Sequence, residues 1–267
     1  MQKTLERDRI MREFFGIGGY QRTPEGAFSW QHLLFVTSLM IIMVVLAVFL
    51  GKKNKNKLQT QKNTVLIWSA FLIDGFEMVK IILACAEDPS AWTMMLPLFL
   101  CSIQLIAIPL AAFSVGRIKD AALDFVCVFG LLGAVLGTYG ATQNYNAYPV
   151  LSFTNMVSGI THTISGFAAL YIMVSGMASM KQENIWVTFT ILLVFCAAAY
   201  TANILVDYNY MFLMSGDGTP YDILYNLVGS HAVLYPVSVV VLFLVYIGLF
   251  YGIWHWVGKK KQIASAI

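Results

Sequence analysis

Seven apolar stretches, each near the length that crosses a bilayer, account for most of this 267-residue chain. A helix needs about 20 apolar residues to span the hydrocarbon core, where unpaired backbone amides restrict spanning segments to helices and closed barrels. The apolar runs are continuous rather than alternating, which excludes a barrel. We therefore predict an all-α, polytopic membrane protein with a bundle of seven transmembrane helices. The predicted spans are 29–50, 64–85, 92–114, 121–141, 150–178, 184–206 and 231–258.

The charges between the spans predict the orientation of the bundle. Basic residues occupy the first connection, around 52–62, and the third and fifth connections, which contain Arg117, Lys119 and Lys181. The connections between them carry acidic residues or no charge at all. Because basic loops stay in the cytoplasm, the C-terminus is expected inside and the N-terminus outside.

The spans form one transmembrane domain, 29–258, between two short tails. The N-terminal tail, 1–28, lacks the apolar run of a signal peptide. Its residues 4–15 are predicted to form a short amphipathic helix at the membrane interface. The C-terminal tail, 259–267, is basic and is expected to lie in the cytoplasm.

The sixth and seventh spans are joined by a long outer connection, 207–230. Within it Thr219 is a capping residue, Pro220 follows directly and Asp222 stands three residues after the cap, an order typical of a helix start. We expect a short surface helix from about 220 to 228 that covers the mouth of the bundle.

Small residues in the fourth span indicate close helix packing. Gly130, Gly133, Gly137 and Gly140 recur at spacings that place them on one helix face. Small residues on such a face let a neighbouring helix approach closely.

Three reactive side chains are predicted to lie at one depth in the bilayer. At 1.5 Å of helix rise per residue, Cys101, His162 and Glu77 lie roughly 13, 18 and 12 Å below the outer ends of their spans. A thiol, an imidazole and a carboxylate at one level form a plausible nucleophile, base and orienting group. Depth does not fix helix rotation, so three separately satisfied buried groups remain the alternative.

Other polar residues of the spans are candidate substrate-binding groups, because ionisable and amide side chains are costly in the membrane. Glu77 can also pair with Lys80 one turn along the same helix. The candidates are Asp74 in the second span, Gln104 in the third, Asn203 and Asn209 around the end of the sixth, and His32 and His231 near the outer mouth.

Several segments resemble the YwaF-like family of bacterial integral membrane proteins. The most specific is Asn203-Ile-Leu-Val-Asp-Tyr-Asn-Tyr-Met-Phe-Leu213, which is similar to the family's N-x5-N-Y-M-F-L signature. Leu96-Pro-Leu-Phe-Leu-Cys101 resembles its L-P-L-H-L-C motif, with Phe99 in the place of the histidine. His162 and the segment Trp30-Gln31-His32 also match, and the resemblance extends over most of the chain from about 30 to 250.

The resemblance implies a lipid enzyme in a bacterial plasma membrane. A distantly similar relative, transmembrane protein 164, is a lipid acyltransferase thought to use a cysteine and a histidine, and the androgen-induced fatty-acid-ester hydrolases look like further cousins. By this resemblance, Cys101 corresponds to the nucleophile and His162 corresponds to the base. Membrane lipid is the implied partner, and no cofactor is expected. Because Phe99 stands in the place of the motif's histidine, two alternatives stay open: the chain is inactive, or another base activates the cysteine.

Two other function classes stay open from the residues. A transporter or channel would use Asp74, Glu77 and Lys80 to line a polar path, although the inner half of the bundle offers little beyond Asp124. A non-catalytic sensor or assembly protein is compatible with the same spans. The sequence shows no nucleic-acid-binding pattern, no nucleotide-binding glycine loop and no metal-ligand spacing.

Overall fold

The computed structural model describes residues 10–229 and 231–264, with side chains as far as Gly258. In that part of the chain every regular element is a helix and there is no strand. The all-α prediction is therefore confirmed. The α-helices are α1 Trp30–Asn54, α2 Gln59–Glu87, α3 Gln104–Phe113, α4 Gly116–Leu136, α5 Thr142–Ala147, α6 Phe153–Ser175, α7 Asn184–Val206, α8 Asp222–Val228 and α9 Leu234–Ala264.

Four helices are long and apolar enough to cross a membrane: α1, α6, α7 and the part of α9 from Leu234 to Gly258. The chain is thus a membrane protein. The helices α2 and α4 have comparable length, but charged residues interrupt their apolar character. The total of seven spans and the direction of the termini remain predictions.

The third predicted span, 92–114, is not one continuous helix. A 3-10 turn over Pro89–Met94 leads into an irregular segment, 95–103, and only then does α3 begin. Pro97 accounts for the break, because proline donates no backbone hydrogen bond and keeps the residue before it out of helical geometry. The irregular segment is covered by protein, since its apolar side chains pack against the buried core. Irregular backbone is tolerated at membrane depth under that condition.

The helix α6 lies in the middle of the bundle and packs against α1, α2 and α4. Its contact with α4 is close, because a methyl group added at Gly130 would lie 2.7 Å from the Ser165 carbonyl oxygen. A methyl group added at Gly166 would lie 2.5 Å from Ala134 Cβ. The glycines of α4 and α6 therefore set the distance between the two helices.

Two short helical segments, one near each end of the chain, end at glycine residues. The structure describes a helical turn over 10–15 followed by Gly16, Gly18 and Gly19, all with positive φ; residues 4–9 of the predicted amphipathic helix lie outside the described residues. The surface helix α8 ends at Gly229, whose φ of 74° is one that glycine adopts without strain.

A fully buried carboxylate ties α4 to three other segments. Asp124 accepts hydrogen bonds from Met180 N at 2.8 Å, Asn184 Nδ2 at 2.7 Å and Ser179 Oγ at 2.9 Å, and Tyr251 Oη lies 3.5 Å away. A buried charge needs such donors when no cation faces it. This cluster fixes the loop between α6 and α7 and the start of α7 against α4 and α9.

We expect Asp124→Asn to lower the free energy of unfolding by about 1–3 kcal/mol, because the new amide nitrogen faces hydrogen-bond donors where the carboxylate oxygen accepted from them. The matched control is Asp120→Asn, which changes a partly exposed carboxylate one turn earlier on the same helix. Thermal unfolding in detergent measures both. Equal midpoints for the two variants would contradict the structural importance of this cluster.

Candidate functional site

Cys101 lies in the turn that leads into α3. Gln104 N donates to the Cys101 carbonyl oxygen at 3.2 Å, and Ile103 N donates to the Phe99 carbonyl oxygen at 3.2 Å. The thiol-bearing residue is thus three positions before the first residue of a helix, where the helix dipole favours negative charge. Cys101 is partly exposed and lies in the break of the predicted third span.

His162 lies in the middle of α6, with its ring orientation set by its own helix. Its Nδ1 atom lies 2.7 Å from the Ser158 carbonyl oxygen. A carbonyl oxygen only accepts, so Nδ1 carries the proton of this hydrogen bond. In the neutral ring Nε2 is then left as the basic nitrogen.

The structure brings Cys101 and His162 together. Their side chains are close enough to affect each other electrostatically. The imidazole group occupies space left by Gly137 at the end of α4, where an added methyl group would lie 2.1 Å from Nε2. One turn earlier, a methyl group at Gly133 would meet Cys101 Cβ at an ordinary 3.7 Å. The glycine face of α4 therefore accommodates both side chains.

Glu77 is not the group that holds the imidazole ring. Its Oε1 atom lies 2.5 Å from Lys80 Nζ, in the ion pair that the spacing predicted. Lys80 in turn lies within electrostatic range of both Cys101 and His162. The Ser158 carbonyl takes the orienting position for which a carboxylate was expected.

Two more polar candidates on α2 and α3 lack partners. Gln104 is fully buried, and neither its side-chain oxygen nor its nitrogen has a hydrogen-bond partner among the described residues. A buried amide group without partners is costly, so Gln104 is available to a ligand. Asp74 is partly exposed and forms no hydrogen bond or ion pair within the described part of the chain.

The two asparagines of the N-x5-N-Y signature hold the loop after α7. Asn203 Nδ2 donates to the Tyr210 carbonyl oxygen at 3.0 Å, and its Oδ1 atom accepts from Tyr210 N at 2.6 Å. Asn209 Oδ1 accepts from Met214 N at 2.9 Å, while its Nδ2 atom donates to Ser215 Oγ at 2.9 Å. Both side-chain amides are therefore engaged in shaping this loop.

The signature also reaches the segment that carries Cys101. The Tyr210 hydroxyl donates to the Thr93 carbonyl oxygen and accepts from Leu96 N, the latter at 3.2 Å. The Phe99 ring packs against the rings of Tyr208 and Tyr210, with the Tyr210 centroid 5.2 Å away. These contacts fix both sides of the proline break that precedes Cys101.

A cavity of about 390 Å³ opens beside this loop. Its wall contains both signature asparagines, the Phe99 ring and the carboxylate-bearing residues Asp207 and Asp217. The remaining lining residues are Gln143, Tyr208, Phe212, Met214 and Ser215. The cavity is of ligand-binding size and combines polar groups with aromatic walls.

A model of the TMEM164 family matches residues 27–255. This chain belongs to the TMEM164 family. No curated protein and no solved structure matches it. The predicted relation to transmembrane protein 164 is confirmed, whereas the YwaF-like assignment has no support from these comparisons.

The two outer histidines of this TMEM164-family chain have different settings. His32 is fully buried, its Nδ1 atom accepts from Phe28 N at 2.9 Å and its Nε2 atom donates to the Thr138 carbonyl oxygen at 3.1 Å. Both ring nitrogens are occupied, so His32 links α1 to α4 instead of facing a ligand. His231 is exposed and does not line the cavity.

Tyr221 is a site residue that the sequence did not reveal. Its ring stacks on Phe212 with centroids 5.3 Å apart, and it lies within electrostatic range of Cys101. Burial raises the pKa of Tyr221 to about 12, so its hydroxyl keeps its proton at neutral pH. No sequence signal separates this tyrosine from others in the loop, because only the fold of 207–229 brings it back toward Cys101.

We expect Gly137→Ala to reduce the reactivity of Cys101 toward iodoacetamide at neutral pH, because the new methyl group displaces the His162 ring. Gly133→Ala is the matched control, since its methyl group meets Cys101 at an ordinary contact distance. Mass spectrometry of alkylated peptides measures the rate, with the partly buried Cys85 as a reference in the same sample. Equal Cys101 rates in both variants would contradict the contact between thiol and imidazole.

Proposed function

We propose that this TMEM164-family membrane protein transfers an acyl group from a lipid ester, with Cys101 as nucleophile and His162 as base. The observation that carries the proposal is the hydrogen bond from His162 Nδ1 to the Ser158 carbonyl, because it leaves Nε2 as the basic nitrogen beside the thiol. Nucleophile, base and orienting group within contact are the arrangement that covalent catalysis requires.

In the first half of the reaction, His162 Nε2 takes the proton of the Cys101 thiol as the sulfur attacks the ester carbonyl carbon. The tetrahedral intermediate collapses, its carbon–oxygen bond to the lipid alcohol breaks, and the alcohol leaves with the proton from His162. The acyl group is then a thioester on Cys101. In the second half, a lipid hydroxyl or water loses its proton to His162 and attacks the thioester, and the sulfur leaves as thiolate and recovers the proton.

The negative oxygen of each tetrahedral intermediate needs a donor. Gln104 Nε2 supports this role, because it lies one turn from Cys101, is buried and has no partner in the described protein. The Tyr221 hydroxyl is a second donor in the same region. The cavity beside Asn203 and Asn209 accommodates the polar part of the lipid, and Asp74 lies one turn from Glu77 on the α2 side.

We also propose which side of the membrane the site faces. In a seven-span bundle with its N-terminus outside, the loop 207–230 and the cavity face the exterior side of a bacterial plasma membrane. The substrate then comes from the outer leaflet. A transporter function has a single favourable observation, the unpartnered Asp74, whereas Glu77 and Lys80 neutralise each other.

We expect purified protein to form a covalent adduct with a phospholipid that carries an alkyne-tagged acyl chain, and hydroxylamine to remove the adduct as it cleaves thioesters. Cys101→Ala abolishes the label, and His162→Gln slows labelling by about 10²–10⁴-fold because the general base is lost. Cys85→Ala is the matched control for a partly buried cysteine outside the site and keeps the wild-type rate.

Unchanged labelling of Cys101→Ala would refute the acyl-enzyme. If no variant labels, flux measurements in liposomes that compare Asp74→Asn with wild type test the transporter alternative directly.

A further inference from the structure

A second cavity, separate from the candidate site, opens between α3, α4 and α7. It measures about 460 Å³ and is lined along α3 by Ile103, Ile106, Ala107 and Leu110. These positions follow the i, i+3, i+4, i+7 pattern of a single helix face, so the cavity runs along the axis of α3. From α7 it is lined by apolar residues and one threonine, whose hydroxyl is already bonded to its own helix.

This cavity forms a groove along α3, and the groove is open on the side that would face the lipid chains. Ile118 on α4 and Val194 on α7 line it and are 63% and 62% exposed, and Leu110 is 44% exposed. Its floor is buried, with Phe125 at 0% exposure. A long hydrocarbon chain can enter such a groove from the side and bury its surface against the floor.

One charged residue lines the groove, Arg117 at the first turn of α4. Among the described residues its guanidinium group forms no hydrogen bond or ion pair. Its neighbour Lys119 is engaged elsewhere, since its Nζ atom donates to Asn63 Oδ1 and to the Ala111 carbonyl oxygen, each at 2.6 Å. The acid closest to Arg117 in the sequence, Asp120, interacts with Lys119 and does not line the groove.

We propose that this groove binds one anionic phospholipid, with its phosphate at Arg117 and one acyl chain along α3 toward Ile103. Guanidinium groups bind phosphate oxygens through paired hydrogen bonds, and the uncapped start of α4 adds partial positive charge at the same end. No carboxylate lines the described groove to receive an ammonium headgroup, so a phosphatidylglycerol-type lipid fits better than a zwitterionic one. Arg117 lies in a connection predicted to be cytoplasmic, which places the lipid in the inner leaflet. This inference does not rest on the proposed function.

The test uses full-length protein in phosphatidylcholine vesicles that contain a small fraction of phosphatidylglycerol with a diazirine in its acyl chain. After irradiation we expect cross-links in the groove segments 103–125 and 187–195. Arg117→Gln lowers their yield about fivefold, the effect typical of one basic residue near anionic lipid. Lys181→Gln, which removes an exposed basic residue outside the groove, leaves the yield unchanged.

A second pair of variants separates the groove from general lipid contact. Val194→Trp fills the groove and lowers the cross-link yield, whereas Ile204→Trp changes a residue of the same helix outside the groove, with an exposure of 63% against 62% for Val194. Unfolding midpoints equal to wild type show that each variant is folded. Equal yields for Arg117→Gln and wild type, or equal cross-linking by a diazirine phosphatidylcholine, would overturn the proposal.

Discussion

The position of the candidate nucleophile depends on one side-chain amide. Asn203 pairs with both the amide and the carbonyl of Tyr210, as a neighbouring strand would. The backbone that follows is strained, since Met211 and Phe212 have φ values of 55° and 56°. Such conformations persist in non-glycine residues when surrounding contacts hold them. The Tyr210 hydroxyl then holds the irregular segment before Cys101, so a short chain of hydrogen bonds runs from the end of α7 to Thr93 and Leu96.

This chain of contacts gives the asparagine signature a physical meaning. Five residues lie between Asn203 and Asn209, and each amide closes a different part of the same turn. Each asparagine therefore shapes the loop without any need to contact a substrate. Their side chains also form part of the cavity wall, so the loop that positions Cys101 is the loop that shapes the adjacent space.

Helix content was accessible from the sequence, because hydropathy depends on local composition, whereas the pairing of Cys101 with His162 stays a prediction, because depth does not fix helix rotation. Glu77 pairing with Lys80 followed from their spacing alone. The break at Pro97 was not predicted as such, since an apolar run gives no sign of whether protein will cover an irregular backbone. The Ser158 carbonyl and Tyr221 also escaped prediction: a backbone acceptor has no sequence signature, and Tyr221 reaches the site through tertiary folding of a long loop. His32 was expected to bind substrate, since no sequence signal reveals that its ring bonds to the Phe28 amide and to the distant Thr138 carbonyl oxygen.

The aromatic rings near Cys101 have a consequence for the acyl intermediate that we propose. Phe99, Phe212 and Tyr221 form a continuous set of rings from the cavity wall to the neighbourhood of Cys101. At position 99, where the L-P-L-H-L-C pattern has a histidine, this chain has a hydrocarbon surface that binds water poorly. A bound thioester would be dry, and its lifetime would depend on the arrival of a lipid alcohol more than on bulk water. In the acyl transfer that we propose, the phenylalanine would therefore bias the partition between exchange of chains among lipids and their release as free fatty acid.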